Sequence, residues 1–161
     1  MNYDGPLLLS TGHVLDDFDC GKPALNIWLV RRALGNQASG TSRTWVVTEA
    51  GSNRVVAFYA SSTASIIRSS APKAFGRNQP EELPAILLGR MAVDISHAGQ
   101  GLGGALLKHF MTKAVEVAAA VGVRVLLVHA KDEDSKGFYE HYGFTESPVD
   151  PMTLLILLPT R

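Results

Sequence analysis

The feature that most constrains this chain is a glycine-dense turn between an apolar run and a helical pattern. Residues 85–93 are almost continuously apolar, and the segment after them carries Gly99, Gly101, Gly103 and Gly104. A helical spacing of apolar residues begins at Leu102. The first turn of a helix has backbone N–H groups without internal partners and the positive end of the helix dipole, and glycines leave those groups uncovered. The sequence therefore predicts a backbone cradle for a phosphate or pyrophosphate.

Two common phosphate-binding motifs do not fit this turn. A dinucleotide-binding fold would carry an acidic residue at a strand end about 20 residues later, and none stands there. A P-loop would close on Gly-Lys-Ser or Gly-Lys-Thr, which is also missing. The dinucleotide and ATP interpretations are therefore both disfavoured.

Hydrophobic periodicity predicts alternating strands and helices around the turn. Strands over 85–93 and 123–130 flank a helix over 102–120, and such a unit favours a parallel strand pair in the middle of a sheet. The buried side of this helix is expected to carry Leu102, Ala105, Leu106, Phe110, Ala114, Val117 and Val121. The other predicted elements are strands over 44–48 and 55–63 joined by a hairpin over 51–53, a loop or small excursion over 69–82, a short helix over 134–141 and a final strand over 153–158.

An earlier helix is predicted to start at Pro23, because proline fits the first turn of a helix. The residues before it, 16–21, are typical of a turn. The buried side of the helix is expected to carry Leu25, Ile27, Trp28 and Leu29. The polar residues 36–42 are expected to end it.

The size and composition of the chain favour one domain in a reducing compartment. With 161 residues it can bury a substantial core, so we expect a single domain over 1–161. Cys20 is the only cysteine, which excludes an internal disulfide. There is no leader-like segment and no apolar run near 18 residues, so we expect a soluble cytoplasmic protein without a membrane partner.

A net charge of zero hides an uneven distribution of charge along the chain. Between residues 22 and 77 the only acidic residue is Glu49. The bases in the same segment are Lys22, Arg31, Arg32, Arg43, Arg54, Arg68, Lys73 and Arg77. Such a basic half in a neutral protein is compatible with a phosphate-rich partner.

A second motif follows the predicted strand over 123–130, and together with the glycine turn it resembles the GNAT acetyltransferases. The run Phe138-Tyr139-Glu-His-Tyr-Gly143-Phe144 matches the family's Phe-Tyr-x-x-x-Gly-Phe helix, and 98–103 match the family's Gln/Arg-x-x-Gly-x-Gly/Ala coenzyme A loop. Ala98 departs from this pattern, because the family has glutamine or arginine there. Alanine lacks the side-chain contact near the phosphates that glutamine or arginine would make, whereas the backbone donors are unaffected.

The resemblance implies a fold and a set of site residues. The implied fold is a mixed α/β sheet flanked by helices, with two strands splayed at the cofactor site, and the implied cosubstrate is acetyl-CoA. Tyr139 would be the catalytic residue, pointing at the sulfur, and the N–H of Val93 would bind the thioester carbonyl. The implied cofactor-binding residues are Met91, Val93, Gly99, Gln100, Gly101, Leu102, Gly103, Gly104, Ser135 and Phe138.

Further stretches resemble one branch of that family, the TacT-like toxins of toxin–antitoxin pairs. The matching stretches are 18–25, 32–44, 88–94, 130–132 and 147–153. This resemblance implies acetylation of the α-amino group of aminoacyl-tRNA, a homodimer, a neutralising ribbon-helix-helix antitoxin, and operator DNA contact through that antitoxin alone. Arg31, Arg32 and Arg43 are the candidate tRNA-binding residues, since they flank the turn at 36–37.

The residues also permit other interpretations. A free α-amine has a pKa near about 7.7–8.0, so no strong base is needed, and Tyr139 could act as a general acid. Cys20 could instead support a ping-pong mechanism. The acceptor could be a protein N-terminus, a lysine or a small amine, or the chain could be a binding module in an operator complex. No pair of histidines has metal-ligand spacing, so no metal is expected.

Overall fold

The computed structural model describes residues 2–158. In chain order its elements are β1 (Tyr3–Leu8), α1 (Pro23–Arg31), α2 (Ala33–Ala38), β2 (Arg43–Glu49), β3 (Val55–Ile67), α3 (Lys73–Gly76), β4 (Glu82–Val93), α4 (Leu102–Ala118), β5 (Val125–His129), α5 (Glu133–His141), β6 (Thr145–Glu146) and β7 (Thr153–Leu157). There are also two 3₁₀ turns, Arg68–Ser70 and Ile95–His97. Within residues 2–158, the seven strands form a mixed sheet in the order β1-β2-β3-β4-β5-β7-β6.

The chain divides into two compact units, and the first comprises residues 1–62 and 89–110. In this unit β1 pairs antiparallel with β2, and β2 pairs antiparallel with β3. The core of the unit consists of buried apolar side chains from the α1 region and the strands, namely Leu9, Leu15, Phe18, Trp28, Leu29, Ala33, Val46, Val55, Phe58, Ala60 and Ala92. Removing such side chains from water is the main source of stability for the unit.

The second unit comprises residues 63–88 and 111–161. Here β4 and β5 run parallel, from Ala85 opposite Val125 to Leu88 opposite Val128. β5 pairs antiparallel with β7, and β7 with β6. The core of this unit is Ala71, Leu83, Ala85, Val125, Leu127 and Leu155. The parallel pair confirms the expected strand–helix–strand unit, whereas a single domain over 1–161 stays a prediction.

Most predicted elements are present, with longer bounds than expected for β3 and β4. The helical stretch ends at Ala38, within the expected segment 36–42, but it is interrupted at Arg32 between α1 and α2, and α2 includes the polar residues Asn36 and Gln37. The Gln37 amide explains why a polar residue is accommodated there: its Nε2 donates to the carbonyl of Leu9 at 2.8 Å, and its Oε1 accepts from the N–H of Thr44 at 3.0 Å. The short strands β1 and β6 were not predicted.

Some side chains expected in the core are exposed. Ile27 is 55% exposed, because the packed side of the short helix α1 is formed by Trp28 and Leu29. On α4 the buried stripe contains Leu102, Leu106, Leu107, Phe110 and Ala114. The exposed residues that were predicted to be buried are Ala105 at the edge of that stripe, Val117 in the last turn, and Val121 beyond the end of the helix.

No helix within residues 2–158 is long and apolar enough to cross a membrane.

Candidate active site

A buried carboxylate fixes the chain just after β4. Asp94 is 6% exposed, and its two oxygens accept hydrogen bonds from the N–H of Asp19 at 3.0 Å and of Ser96 at 2.8 Å. Its own N–H donates to the carbonyl of Val56 at 2.8 Å. A buried acceptor with several partners holds its backbone firmly, because every broken bond would leave a polar group unsatisfied. The hydrogen bonds of Asp94 therefore fix the backbone of the adjacent Val93.

The turn around Asp19 is the other half of this hydrogen-bonded cluster, which we call the clasp around Asp94 and which comprises residues 19–21 and 94–96. The N–H of Gly21 donates to the Asp19 carboxylate at 2.9 Å and the amide of Asn26 donates at 3.1 Å. These two hydrogen bonds, with that of Gly21 the larger cause, lower the pKa of Asp19. The N–H of Ile95 in turn donates to the carbonyl of Asp19 at 2.9 Å. Residues 19–21 and 94–96 thus form one hydrogen-bonded cluster ahead of the glycine turn.

A buried histidine fixes the end of the 3₁₀ turn Ile95–His97, which follows Asp94. His97 is 8% exposed, and its Nδ1 lies 2.9 Å from the hydroxyl of Tyr3 on β1. Its Nε2 lies 3.8 Å from a carboxylate oxygen of Glu49 on β2. The glycine turn therefore starts from a point tied to two strands.

Residues 98–104 have the properties of an anion-binding loop. Gly99 and Gly101 have φ of +78° and +79°, a left-handed backbone conformation that residues other than glycine rarely adopt. A Cβ atom at either glycine would meet open space. Residues 98–101 are exposed. Within residues 2–158, no group accepts a hydrogen bond from the backbone N–H groups of 99–104. These donors and this space fit a pyrophosphate.

The two helices that carry the predicted site residues differ in the charge of their first turns. The first turn of α4 contains no acidic residue. The first turn of α5 contains Glu133 and Asp134, and its N-cap Asp132 accepts from the N–H of Ser135 at 2.8 Å. Acidic side chains in a first turn repel phosphate, whereas an acid-free first turn leaves the positive end of the helix dipole available to an anion. Of these two helices, α4 therefore has the N-terminus that suits a phosphate better.

Tyr139 on α5 is buried around its ring and uncommitted at its hydroxyl. The residue is 7% exposed, and its ring packs edge-on against Phe138 and Phe144 at centroid distances of 5.3 and 5.7 Å. Burial raises the pKa of Tyr139 to about 12, because the charged phenolate would be desolvated. Within residues 2–158 the hydroxyl has no hydrogen-bond partner. Tyr139 can therefore hold and donate a proton.

The predicted cofactor-binding residues fall into two groups. Met91, Val93 and the residues 99–104 belong to the first unit. Ser135 and Phe138 belong to the second unit, where the half-buried Phe138 lies within one turn of Tyr139 on α5. The catalytic and cofactor-binding assignments of all these residues stay predictions.

The three arginines predicted to bind tRNA differ in how their side chains are used. Arg31 and Arg32 are exposed at the end of α1, and within residues 2–158 neither side chain has an ion-pair or hydrogen-bond partner. Arg43 donates from a guanidinium nitrogen to the carbonyl of Gln37 at 2.9 Å. Arg43 thus braces the end of α2, while Arg31 and Arg32 remain available to an anion.

One contact was missed by the sequence analysis. The guanidinium carbon of Arg90 lies 4.4 Å from the centre of the Trp28 ring. Burial lowers the pKa of Arg90, because a desolvated charge is less stable than a hydrated one. The sequence offered one signal, a lone arginine in an otherwise apolar strand, but not its partner.

Two alternative chemistries find no support in the geometry. The thiol of Cys20 lies 3.6 Å from the carbonyl of Lys22, and within residues 2–158 it has no hydrogen bond to a histidine or carboxylate that could act as its base. Within residues 2–158 no group of three or more histidines, cysteines or acids could hold a metal ion.

Comparison with known proteins supplies the family. The model of the acetyltransferase (GNAT) domain matches residues 40–146. The chain is 39% identical over 156 residues to a protein named tRNA-acetylating toxin from Mycobacterium tuberculosis, covering 97% of this chain and 93% of that protein.

Solved structures agree with the sequence comparison. The structure of AtaT complexed with acetyl-methionyl-tRNAfMet matches with a TM-score of 0.87 and 26% identity, over 97% of this chain and 94% of that chain. The structure of AtaTR bound with acetyl-CoA matches with a TM-score of 0.79 and 25% identity, over 98% of this chain and 92% of that chain.

Proposed function

The chain belongs to the GNAT acetyltransferase family, and from this premise we propose that it is a toxin that acetylates aminoacyl-tRNA. The acetyl group passes from acetyl-CoA to the α-amino group of the aminoacyl ester, and translation stops because a blocked amine cannot form a peptide bond. The observation that carries this proposal is the 39% identity to a tRNA-acetylating toxin across 97% of the chain.

The glycine turn and the start of α4 hold acetyl-CoA. The N–H groups of residues 99–104 bind the pyrophosphate, supported by the acid-free first turn of α4. Gln100 and Leu102 flank those donors, and Met91 and Val93 contact the acetyl-pantetheine arm. Ser135 and Phe138 contact its thiol end. The clasp around Asp94 keeps this strand end rigid, which lowers the cost of ordering it on binding.

The residues of this chain need to perform only two chemical tasks. The N–H of Val93 stabilises the negative charge that develops on the thioester carbonyl as the amine attacks. As the C–S bond breaks, Tyr139 donates its proton to the departing sulfur; the acylated nitrogen releases a proton to water, and water returns one to Tyr139. The attacking amine has a pKa near about 7.7–8.0, so a useful fraction is neutral at cytoplasmic pH and no dedicated base is required.

The acceptor RNA binds to the first unit through three arginines, Arg31, Arg32 and Arg43. They contact phosphates of the RNA backbone, and such contacts do not depend on the nucleotide sequence. A small cationic amine would favour an acidic surface instead, which makes these three arginines an argument against the small-amine alternative. Replacing all three by glutamine should weaken the RNA contact and leave acetyl-CoA binding intact.

The proposed activity is controlled by a partner protein. A toxin of this kind needs a neutralising partner, and we assign that role to a ribbon-helix-helix antitoxin that also makes the contact with operator DNA. The active form is a homodimer, and it acts in the cytoplasm, where charged tRNA and acetyl-CoA are available.

The test is transfer of radiolabelled acetyl from acetyl-CoA to matched acceptors. We expect label on aminoacyl-tRNA and none on the same tRNA after its aminoacyl ester is hydrolysed. A peptide with a free N-terminus, a peptide with an internal lysine and spermidine serve as competing acceptors. Faster labelling of any of these three than of aminoacyl-tRNA would overturn the proposed function.

A further inference from the structure

Arg90 is held in a fixed orientation by an aromatic stack. Its guanidinium carbon lies 4.4 Å from the centre of the Trp28 ring, within the range of a cation–π contact. The Trp28 ring is itself stacked on Phe58, with centroids 6.0 Å apart and planes 12° apart. Phe58 is fully buried, so the whole stack rests on the core of the first unit. The guanidinium therefore has little freedom to lose when a ligand binds.

Arg90 has no acidic partner to neutralise it. Within residues 2–158 its side chain makes no ion pair and no hydrogen bond, and its contact with Trp28 is its only recorded interaction. Arg54, by contrast, lies within 3.8 Å of Asp17 and 3.7 Å of Glu49. A planar guanidinium with free N–H groups can bind a phosphate with two parallel hydrogen bonds.

Two further arginines without side-chain partners among residues 2–158 stand at the end of the helix that carries Trp28: Arg31 is its last residue and Arg32 is its C-cap. Arg31 and Arg32 follow it by three and four positions, and the N–H of Arg32 donates to the carbonyl of Trp28 at 2.8 Å. Arg31 is a neighbour of Trp28 on the helix surface, because three positions separate them. Within residues 2–158, Arg31, Arg32 and Arg90 thus have no acidic partner, and such unpaired arginines favour a phosphate-binding surface over a neutral salt-bridge network.

The position of Arg90 on β4 relates this cluster to the reacting group. Side chains alternate between the faces of a strand, so Arg90 shares a face with the core residue Ala92, while Met91 and Val93 share the other. Arg90 stands three residues before Val93, the proposed oxyanion donor. A phosphate bound by Arg90 would thus lie close to the reacting end of the same substrate, because Arg90 and Val93 are close together on β4.

We propose that Arg90, held over the ring of Trp28, is a phosphate-binding residue that, with Arg31 and Arg32, binds the backbone of the acceptor RNA next to its aminoacyl end. This inference rests on the proposed function, because it takes RNA as the anionic substrate. Trp28 acts as a positioning residue, since it fixes the guanidinium and does not itself bind phosphate.

The experiment compares Arg90→Gln, Arg90→Lys and Trp28→Phe with the parent protein. We measure binding of deacylated tRNA and acetylation of aminoacyl-tRNA over a range of salt concentrations. Arg90→Gln should weaken tRNA binding about tenfold, the usual effect of losing a charge-assisted hydrogen bond, and reduce the salt slope by about one unit. Arg90→Lys should keep the salt slope and lose affinity, because lysine retains the charge without the planar fork.

Trp28→Phe and Arg68→Gln provide the controls. Trp28→Phe should lower tRNA affinity without changing the salt slope, because the charge remains and only its orientation is lost. Arg68→Gln removes an arginine that already donates to the carbonyl of Gln79, so tRNA binding should change little. Binding of acetyl-CoA and the melting temperature are measured for each variant, which identifies any variant that fails to fold.

Three outcomes would overturn the inference. If folded Arg90→Gln and Arg90→Lys bind deacylated tRNA with parental affinity and salt slope, Arg90 is only a cover for the tryptophan. If they instead lose affinity only for polyglutamate, the site binds an acidic protein. Equal effects of Arg68→Gln and Arg90→Gln would show a non-specific charge effect. Failure of the parent protein to acetylate aminoacyl-tRNA would contradict the proposed function separately, since the binding measurement does not depend on catalysis.

Discussion

At the scale of single residues, Tyr139 shows how burial prepares a proton donor. Its ring packs between Phe138 and Phe144, while within the described residues its hydroxyl has no hydrogen-bond partner. The same burial raises its pKa to about 12, so that the hydroxyl stays protonated throughout the neutral range. A donor to a departing thiolate needs this combination of a retained proton and a free oxygen.

Tyr139→Phe should therefore separate catalysis from folding. The change removes one oxygen with no hydrogen bond to lose within the described residues, so the melting temperature and the affinity for acetyl-CoA should stay close to the parental values. Turnover should fall about 10² to 10⁴-fold, the usual contribution of general acid catalysis. Single-turnover acetylation of aminoacyl-tRNA measures this effect, and turnover within twofold of the parent would make Tyr139 a packing residue.

The pKa of Tyr139 also predicts the pH dependence of the reaction. Activity needs the α-amine deprotonated and Tyr139 protonated. The rate should rise with pH through about 7.7–8.0, where the amine loses its proton, and then stay level, because Tyr139 loses its own proton only near about 12. A profile of kcat/KM between about pH 6 and pH 10 tests this. A fall of activity centred near pH 9 would show that the essential acid is another group.

At the scale of elements, the turn between β4 and α4 is the part of the site that could be predicted most completely from sequence. Its glycines lie close together in sequence, between residues 99 and 104, and their effect on backbone conformation is local. The clasp that holds the turn could not be predicted, because Asp94 and Asp19 are 75 positions apart and only the folded strands bring them together. The stack of Arg90 on Trp28 was missed for the same reason.

Gly101→Glu should abolish acetyl-CoA binding. The glycine has φ of +79° with open space around it, so a glutamate would strain the backbone and place a negative charge where a pyrophosphate should bind. Gly51→Glu is the matched control, because Gly51 also has a positive φ and open space but lies in the β2–β3 hairpin. Both variants should lose stability to a similar degree, and calorimetry should detect a loss of acetyl-CoA affinity in Gly101→Glu alone. Equal affinities in the two variants would refute the loop assignment.

At the scale of the whole chain, the distribution of charge says more than its sum. The net charge is zero, yet residues 22–77 carry a strong excess of bases. The structure divides these bases by use: Arg54 is paired with acids, Arg43 and Arg68 donate to carbonyls, and within residues 2–158 Arg31 and Arg32 have no side-chain partner. Sequence alone predicted the excess. It could not predict which bases are available, because that depends on the partners that folding provides.

The order of strands and helices was largely predictable, since each central strand and the helix between them has a clear apolar period. The edges were not. β1 carries exposed Leu7 and Leu8 and a proline, and β6 has only two residues, so neither presents a strand pattern. Residues at the ends of the apolar stripe of α4, such as Val117, were also misassigned, because periodicity gives the face of a helix but not how far its neighbours extend.

Mass spectrometry of total tRNA incubated with the protein and acetyl-CoA measures whether this acetyltransferase modifies charged tRNA. After nuclease digestion we expect N-acetyl-aminoacyl-adenosine in the parent reaction, its near absence with Tyr139→Phe, and unmodified internal nucleotides in both. Aminoacyl-adenosines that stay unacetylated while proteins or polyamines in the same mixture gain acetyl groups would contradict the proposed function.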